Sequence, residues 1–272
     1  MKNLHLFFIA ILSSSQLSAK SFTKWTQRDF WAHIPSGELI WTDEKGTAQN
    51  AHIAEFFIFK TEVHNALYSQ FEEDIKSTNT ELYPKIKRSD DIWKTFFNGM
   101  TNVYFSHPAY KEFPAIGMTK LGAEEFCKWL ENKINANIQT INPKWKGKKV
   151  KVDLPTEQEW MYAALGGQSG PYPWNGPYMR NSKGYILANY KIGSEGNSEF
   201  DITAPVMSYW PNGYGLYNMS GNVKEIVKEA GITKGGSWRS SAEQLKIFAQ
   251  DKETNEHEAT VDKGFRPVLK FI

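Results

Sequence analysis

The sequence predicts a mixed fold, with helices gathered before Gly167 and a loop-rich second half built from short strands. Two observations carry that reading. Three early stretches repeat their apolar residues at helical spacing. From Gly167 to Ile272 the periodic runs give way to Gly, Pro, Asn and aromatic residues. Long ordered loops of that kind need anchoring, and aromatic side chains or bound cations commonly provide it.

The first helix is expected within "TEVHNALYSQFEEDI", where Val63, Leu67, Phe71 and Ile75 fall four apart and Thr61 stands as its cap. The second follows in "TKLGAEEFCKWLENKIN", with Ala123, Phe126, Cys127, Leu130 and Ile134 on one face. Cys127 therefore reads as a small buried apolar residue. The third, in "LPTEQEWMYAALGG", opens on a capping box, Thr156 with Glu159 three residues later. Trp160, Ala163 and Ala164 continue one face, and Gly166 supplies the stop. Between the second and third helices, "KWKGKKVK" (144–151) carries five lysines and reads as a solvated turn before a strand.

The chain has 272 residues and a formal charge of +2, without the concentrated basic excess of a dedicated nucleic-acid binder. Residues 1–19 read as a secretory leader: Lys2, an apolar run from Leu4 to Leu12 broken by His5, then small and polar residues to Ala19. That run is too short to span a bilayer, and no later segment is apolar enough to do so. A single cysteine forms no internal disulfide, so the expected setting is a bacterial periplasm, outer-membrane surface or secretion. Residues 20–272 read as one continuous domain without internal repeats.

Familiar catalytic signatures are missing. There is no phosphate-binding Gly-Lys-Ser/Thr loop, no histidine pair at zinc spacing and no Gly-x-Ser-x-Gly elbow. One segment suggests a cation. "YGLYNMSGNVKEIV" places Asn218, Gly221, Asn222 and Glu225 within eight residues, and oxygen donors at that spacing suit calcium. The same pattern equally describes an Asn-capped turn entering a strand.

Several segments in fixed order, "LPTEQEW", "YPWNG", "LANY", "NGYGLYNMSGNV", "GGSW" and "GFRPV" among them, resemble the formylglycine-generating enzyme (sulfatase-modifying factor) family from about residue 31 to 268. The resemblance implies an α+β domain related to C-type lectins, with little regular secondary structure. Active members oxidise a sulfatase cysteine using copper(I) held by two cysteines, a soft pair of ligands for a soft ion. Here those positions carry Ser240 and Leu245, so no copper is expected and the chain is expected not to be an enzyme. The stretch "GGSWRSSAEQLKIFAQDKETN" with "YPWNGPYMRNSKGYILANYKIG" is similar to non-catalytic gliding-motility and type IX secretion proteins of the K and J kinds. That similarity implies an exported scaffold with a protein partner in the cell envelope, peripheral to the outer membrane, its oligomeric state left open.

The resemblance also implies two calcium sites. One uses Asn218, the carbonyls of Gly221 and Val223, and Glu225. The other uses Asn189 and the carbonyls of Tyr190 and Phe200, with an acid supplied near Ser198 by Glu199 or Asp201. Where the family carries Trp, this chain has Lys224 and Ile226, which implies different local packing. Trp174, Tyr178, Trp210, Tyr214 and Trp238 are candidate binding aromatics, with core packing as the ordinary alternative. Two further readings stay open: a glycan- or peptide-binding module, and altered chemistry around Ser237, Arg239 and Ser240.

Overall fold

The computed structural model describes residues 30–272 apart from 44, 95, 97, 142, 175, 193–195, 198–201, 254 and 256. The expected leader lies outside the described residues. In chain order the strands are β1 (Trp31–Ile34), β2 (Gly37–Thr42), β3 (Ala48–Ile53), β4 (Phe56–Phe59), β5 (Val150–Asp153), β6 (Lys191–Ile192), β7 (Gly196–Asn197), β8 (Lys224–Ile226), β9 (Ile232–Lys234), β10 (Asp251–Lys252), β11 (Lys263–Gly264) and β12 (Val268–Phe271). The main helices are α1 (Asn65–Thr78), α2 (Lys120–Ile141) and α3 (Glu157–Leu165).

The central sheet runs β1-β4-β12-β5, all antiparallel. Both of its faces are covered, which explains the unbroken apolar run "FFIF" in β4: successive side chains point to opposite sides. Phe59 enters the core beneath α1 and α2 with Leu67, Phe71, Phe126 and Phe265. Phe56 and Ile58 enter the core on the other side, with Trp160, Met161 and Ala164 of α3. The aromatic rings of the first core meet edge-on or stacked, as in Phe126 against Phe265 at 5.2 Å and Tyr68 against Phe126 at 5.8 Å.

The helix readings hold with one correction. Thr61 is not the cap of α1, because its hydroxyl donates to the Glu62 carbonyl. His64 is the N-cap: it is extended, and its Nδ1 accepts the Leu67 N–H at 3.3 Å. In α3 both hydrogen bonds of the Thr156–Glu159 capping box form, and Gly166 closes the helix in the left-handed conformation. Cys127 is buried in the first core, and burial pushes its thiol up, so it stays a protonated packing residue. The lysine-rich stretch is the turn that leads into β5.

A second sheet, β10-β9-β8-β11, carries the loop-rich half. Lys224 and Ile226, where the resemblance implies tryptophans, both lie on β8 of this sheet. Ile226 joins the first core. Lys224 reaches Glu253 at 3.1 Å and Asp251 at 3.4 Å, while buried Lys263 meets Glu253 at 2.7 Å. Lys224, Lys263, Asp251 and Glu253 thus form an ionic strap on this sheet.

Candidate functional site

β9 delivers the chain into the loop that holds Ser240 and Leu245. Gly235 and Gly236 both adopt positive φ, at 86° and 62°. A Cβ on Gly235 would lie 3.0 Å from the Met219 carbonyl oxygen, and one on Gly236 would lie 2.8 Å from Leu245 Cδ1. Glycine is therefore required twice over, by backbone conformation and by space. Leu245 fills the volume behind Gly236 and joins a small core with Tyr172, Ala188 and Tyr190.

The serines of the loop are turned inward. Ser240 Oγ accepts the Ser237 N–H at 3.0 Å, and the two hydroxyls lie 3.3 Å apart. Ser237 Oγ donates to Asp262 Oδ2 at 3.2 Å and accepts the Arg239 N–H at 3.2 Å. Ser237, Ser240 and Asp262 are all buried. Arg239 stands outside, its guanidinium 4.7 Å above the Phe96 ring. The serines and an acid do converge, but facing the interior. The hydroxyls bond to each other and to Asp262 rather than to a histidine that could activate one.

Beneath the loop lies a buried polar cluster that sequence reasoning only half found. Arg266 donates to both oxygens of Glu225, at 2.6 to 2.9 Å, and Trp160 Nε1 donates to Glu225 Oε2 at 2.7 Å. Asn218 Nδ2 donates to Glu62 Oε2 at 3.2 Å, and Asn222 Nδ2 to Glu62 Oε1 at 2.8 Å. Both asparagines hold positive φ, 52° and 64°, which Asn tolerates better than most residues. Burial lifts the Glu62 carboxyl to about 8; Arg266 opposes the rise and Glu225 adds to it. At neutral pH Glu62 is therefore mostly protonated, and Glu225 with Arg266 forms the cluster's ion pair.

This arrangement corrects the expected calcium site at Asn218, Gly221, Val223 and Glu225. The Glu225 carboxylate already receives three N–H donors, two from the Arg266 guanidinium and one from the Trp160 indole, which satisfy both of its oxygens. Asn218 turns its amide nitrogen to Glu62, at 3.2 Å, and to the Val206 carbonyl, at 3.1 Å. These residues do not fit a hard cation, because Arg266 already supplies the positive charge. At the other expected site, Asn189 Nδ2 donates to the Ile202 carbonyl at 2.9 Å, and its own carbonyl accepts the Asn222 N–H at 2.8 Å. Tyr190 packs in the Leu245 core. Phe200 lies outside the described residues, as do Ser198, Glu199 and Asp201. Among the described residues, no group of three or more His, Cys, Asp or Glu side chains converges on a metal position.

The candidate aromatics divide. Trp238 is buried against Trp93 and Tyr104, and Trp174 and Tyr214 are half-buried. Tyr178 and Trp210 stand out at 75% and 57% exposure, and two residues not singled out in the sequence join them, Tyr185 at 57% and Met207 at 65%. Tyr185 and Trp210 approach to 6.3 Å between ring centres. Tyr209, immediately before Trp210, has φ of 63°, a strained value for a bulky residue. No helix among the described residues is long and apolar enough to cross a membrane.

The family model for the sulfatase-modifying factor enzyme 1-like domain matches residues 19–271. The chain is 34% identical over 250 residues to the inactive C-alpha-formylglycine-generating enzyme 2 of Mus musculus, covering 78% of this chain and 75% of that protein. It is 40% identical over 85 residues to the formylglycine-generating enzyme of Mus musculus, a match spanning 30% of this chain and 22% of that enzyme. Against the bovine inactive enzyme 2 the match spans 40% of the relative's length. Among solved structures, PvdO from Pseudomonas aeruginosa superposes with a TM-score of 0.61 at 18% identity, over 88% of this chain and 94% of that one. CarF superposes at 0.58 with 22% identity, over 88% and 97%. These two likenesses establish the α+β fold.

Proposed function

The chain belongs to the sulfatase-modifying factor enzyme 1-like family, and from that premise we propose that it is a non-catalytic member acting as an exported interaction protein. One observation carries the reading. The two positions that the family resemblance assigns to the copper ligands carry Ser240 and Leu245, and both side chains are buried and engaged within the fold. A chain with one cysteine has no second thiolate for copper(I). Relatives named as inactive support the reading; others are named as formylglycine-generating enzymes.

The surface for a partner is the exposed face of Tyr185, Met207 and Trp210, with Tyr178 at its margin. Among the described residues, four of the eight exposed large hydrophobics, Tyr178, Tyr185, Met207 and Trp210, lie in the segments 178–185 and 207–210. Aromatic residues and Met are the side chains enriched in interface cores. A strained Tyr209 backbone turning Trp210 outward is the kind of local strain that accumulates at working surfaces. The proposed setting is the bacterial envelope, within a secretion or gliding assembly.

Affinity purification from native envelopes tests this, comparing the wild type with Trp210→Ala and, as a control elsewhere on the surface, Ile40→Ala. The reading expects one envelope protein retained by the wild type and Ile40→Ala and lost from Trp210→Ala. Equal retention by all three would overturn the proposed face.

A further inference from the structure

Beside the aromatic face runs an open groove of 670 Å³ lined by Trp174, Tyr178, Arg180, Asn181, Ser182 and Leu187. Its volume falls within the roughly 300–1,000 Å³ typical of small-ligand sites. The inference drawn from it is independent of the protein-partner reading.

The Trp174 ring of the aromatic wall is set before any ligand arrives. Trp174 Nε1 donates to the Tyr178 carbonyl at 2.8 Å. Its ring stacks on Tyr172, centres 5.0 Å apart and planes 8° from parallel. Tyr172 is held in turn by its hydroxyl, which donates to the Ala242 carbonyl at 3.0 Å. A ring fixed this way loses little freedom on binding.

The polar side of the groove is unbalanced. Five of its backbone carbonyls and the Asn181 side-chain oxygen already accept within the loop. The carbonyl of Tyr178 takes the Trp174 indole, and that of Met179 takes the Leu187 N–H. Those of Asn181 and Tyr185 take the N–H groups of Gly184 and Asn181, and that of Gly184 takes one nitrogen of Arg180 at 2.7 Å. Asn181 Oδ1 is shared by the N–H groups of Lys183 and Tyr185, both at 3.0 Å. On the side-chain lining, what remains is mainly donors: the other N–H groups of Arg180, the Asn181 amide and the Ser182 hydroxyl, which can also accept. Arg180 pairs with no carboxylate among the described residues, and the stretch 171–192 contains Arg180, Lys183 and Lys191 but no Asp or Glu.

We propose that this groove binds an acidic saccharide, its sugar ring laid on the Trp174–Tyr178 wall and its anionic group on Arg180 and Asn181. A carboxylate or sulfate brings only acceptors, which matches what the loop leaves open, and Arg presents its donors to such a group as a fork. An extended peptide fits less well, because each residue brings an N–H that would find few acceptors there.

Isothermal titration with trigalacturonate, a sulfated trisaccharide, maltotriose and a tri-aspartate peptide tests the assignment. Binding of either acidic saccharide at least tenfold tighter than maltotriose and the peptide is expected, and the tighter of the two identifies the anionic group. Arg180→Gln and Tyr178→Ala should each weaken it at least tenfold without shifting the thermal midpoint, since both side chains are exposed. Trp210→Ala should leave it unchanged, which separates this site from the partner face. No binding of either acidic saccharide, equal binding of maltotriose or tri-aspartate, or full affinity in Arg180→Gln would overturn the proposal.

Discussion

Glu62 makes stability depend on pH in an unusual direction. Its carboxyl is fully enclosed and titrates at about 8 rather than at the ordinary 4.5. Between those values the folded chain holds a proton that the unfolded chain has released. The contribution is therefore full below the ordinary value and is lost as pH rises through 8. Linkage puts the loss between about pH 5.5 and about pH 8.5 at about 3 kcal/mol. Glu62→Gln removes the titration while keeping the shape. Against the protonated wild type it also costs about 1–3 kcal/mol, because one amide hydrogen must now face the amide of Asn218 or Asn222. Urea unfolding of both proteins at the two pH values isolates the effect. The wild type should lose about 3 kcal/mol more than the variant on going to the alkaline condition. Parallel pH dependence in the two proteins would show that Glu62 is not a neutral acid in the fold.

Three other substitutions, one of them combined with a second-site change, probe the interior and the surface. Arg266→Leu strands the Glu225 carboxylate in a buried site and should cost about 3–5 kcal/mol in denaturant unfolding, with part regained when Glu225→Gln is added. A loss under 1 kcal/mol would mean that water reaches the pair. Trp238→Ala should cost about 3–5 kcal/mol because the ring is buried, whereas Trp210→Ala should shift stability by less than about 0.5 kcal/mol. Comparable costs would contradict the division of the aromatics into core and surface.

The helices were legible because their apolar spacing and caps are local signals. The capping box of α3 is written in four consecutive residues and forms as read. The cap of α1 was misplaced because His64, an infrequent N-cap, does the work usually given to Ser or Thr. The candidate site was half legible. Gly235, Gly236, Ser240 and Leu245 lie close in sequence, and their motif carried them. The charge balance beneath them was not visible, since Glu62 lies 160 residues from Asn222 and Arg266 lies 41 from Glu225. Spacing within "NMSGNVKEIV" suggested a cation. Only the fold shows that a guanidinium from "GFRPV" takes that role. Tyr185 and Met207 carried no periodic signal, because exposure on a loop is decided by which neighbours the loop meets.

The central claim is that the copper positions are closed and chemically inert. Its most direct measurement incubates the reduced protein with copper(I), oxygen and a sulfatase-type cysteine peptide, then quantifies bound copper and peptide aldehyde. The account predicts no stoichiometric copper and no aldehyde above the protein-free control. One copper per chain with turnover to formylglycine would contradict it.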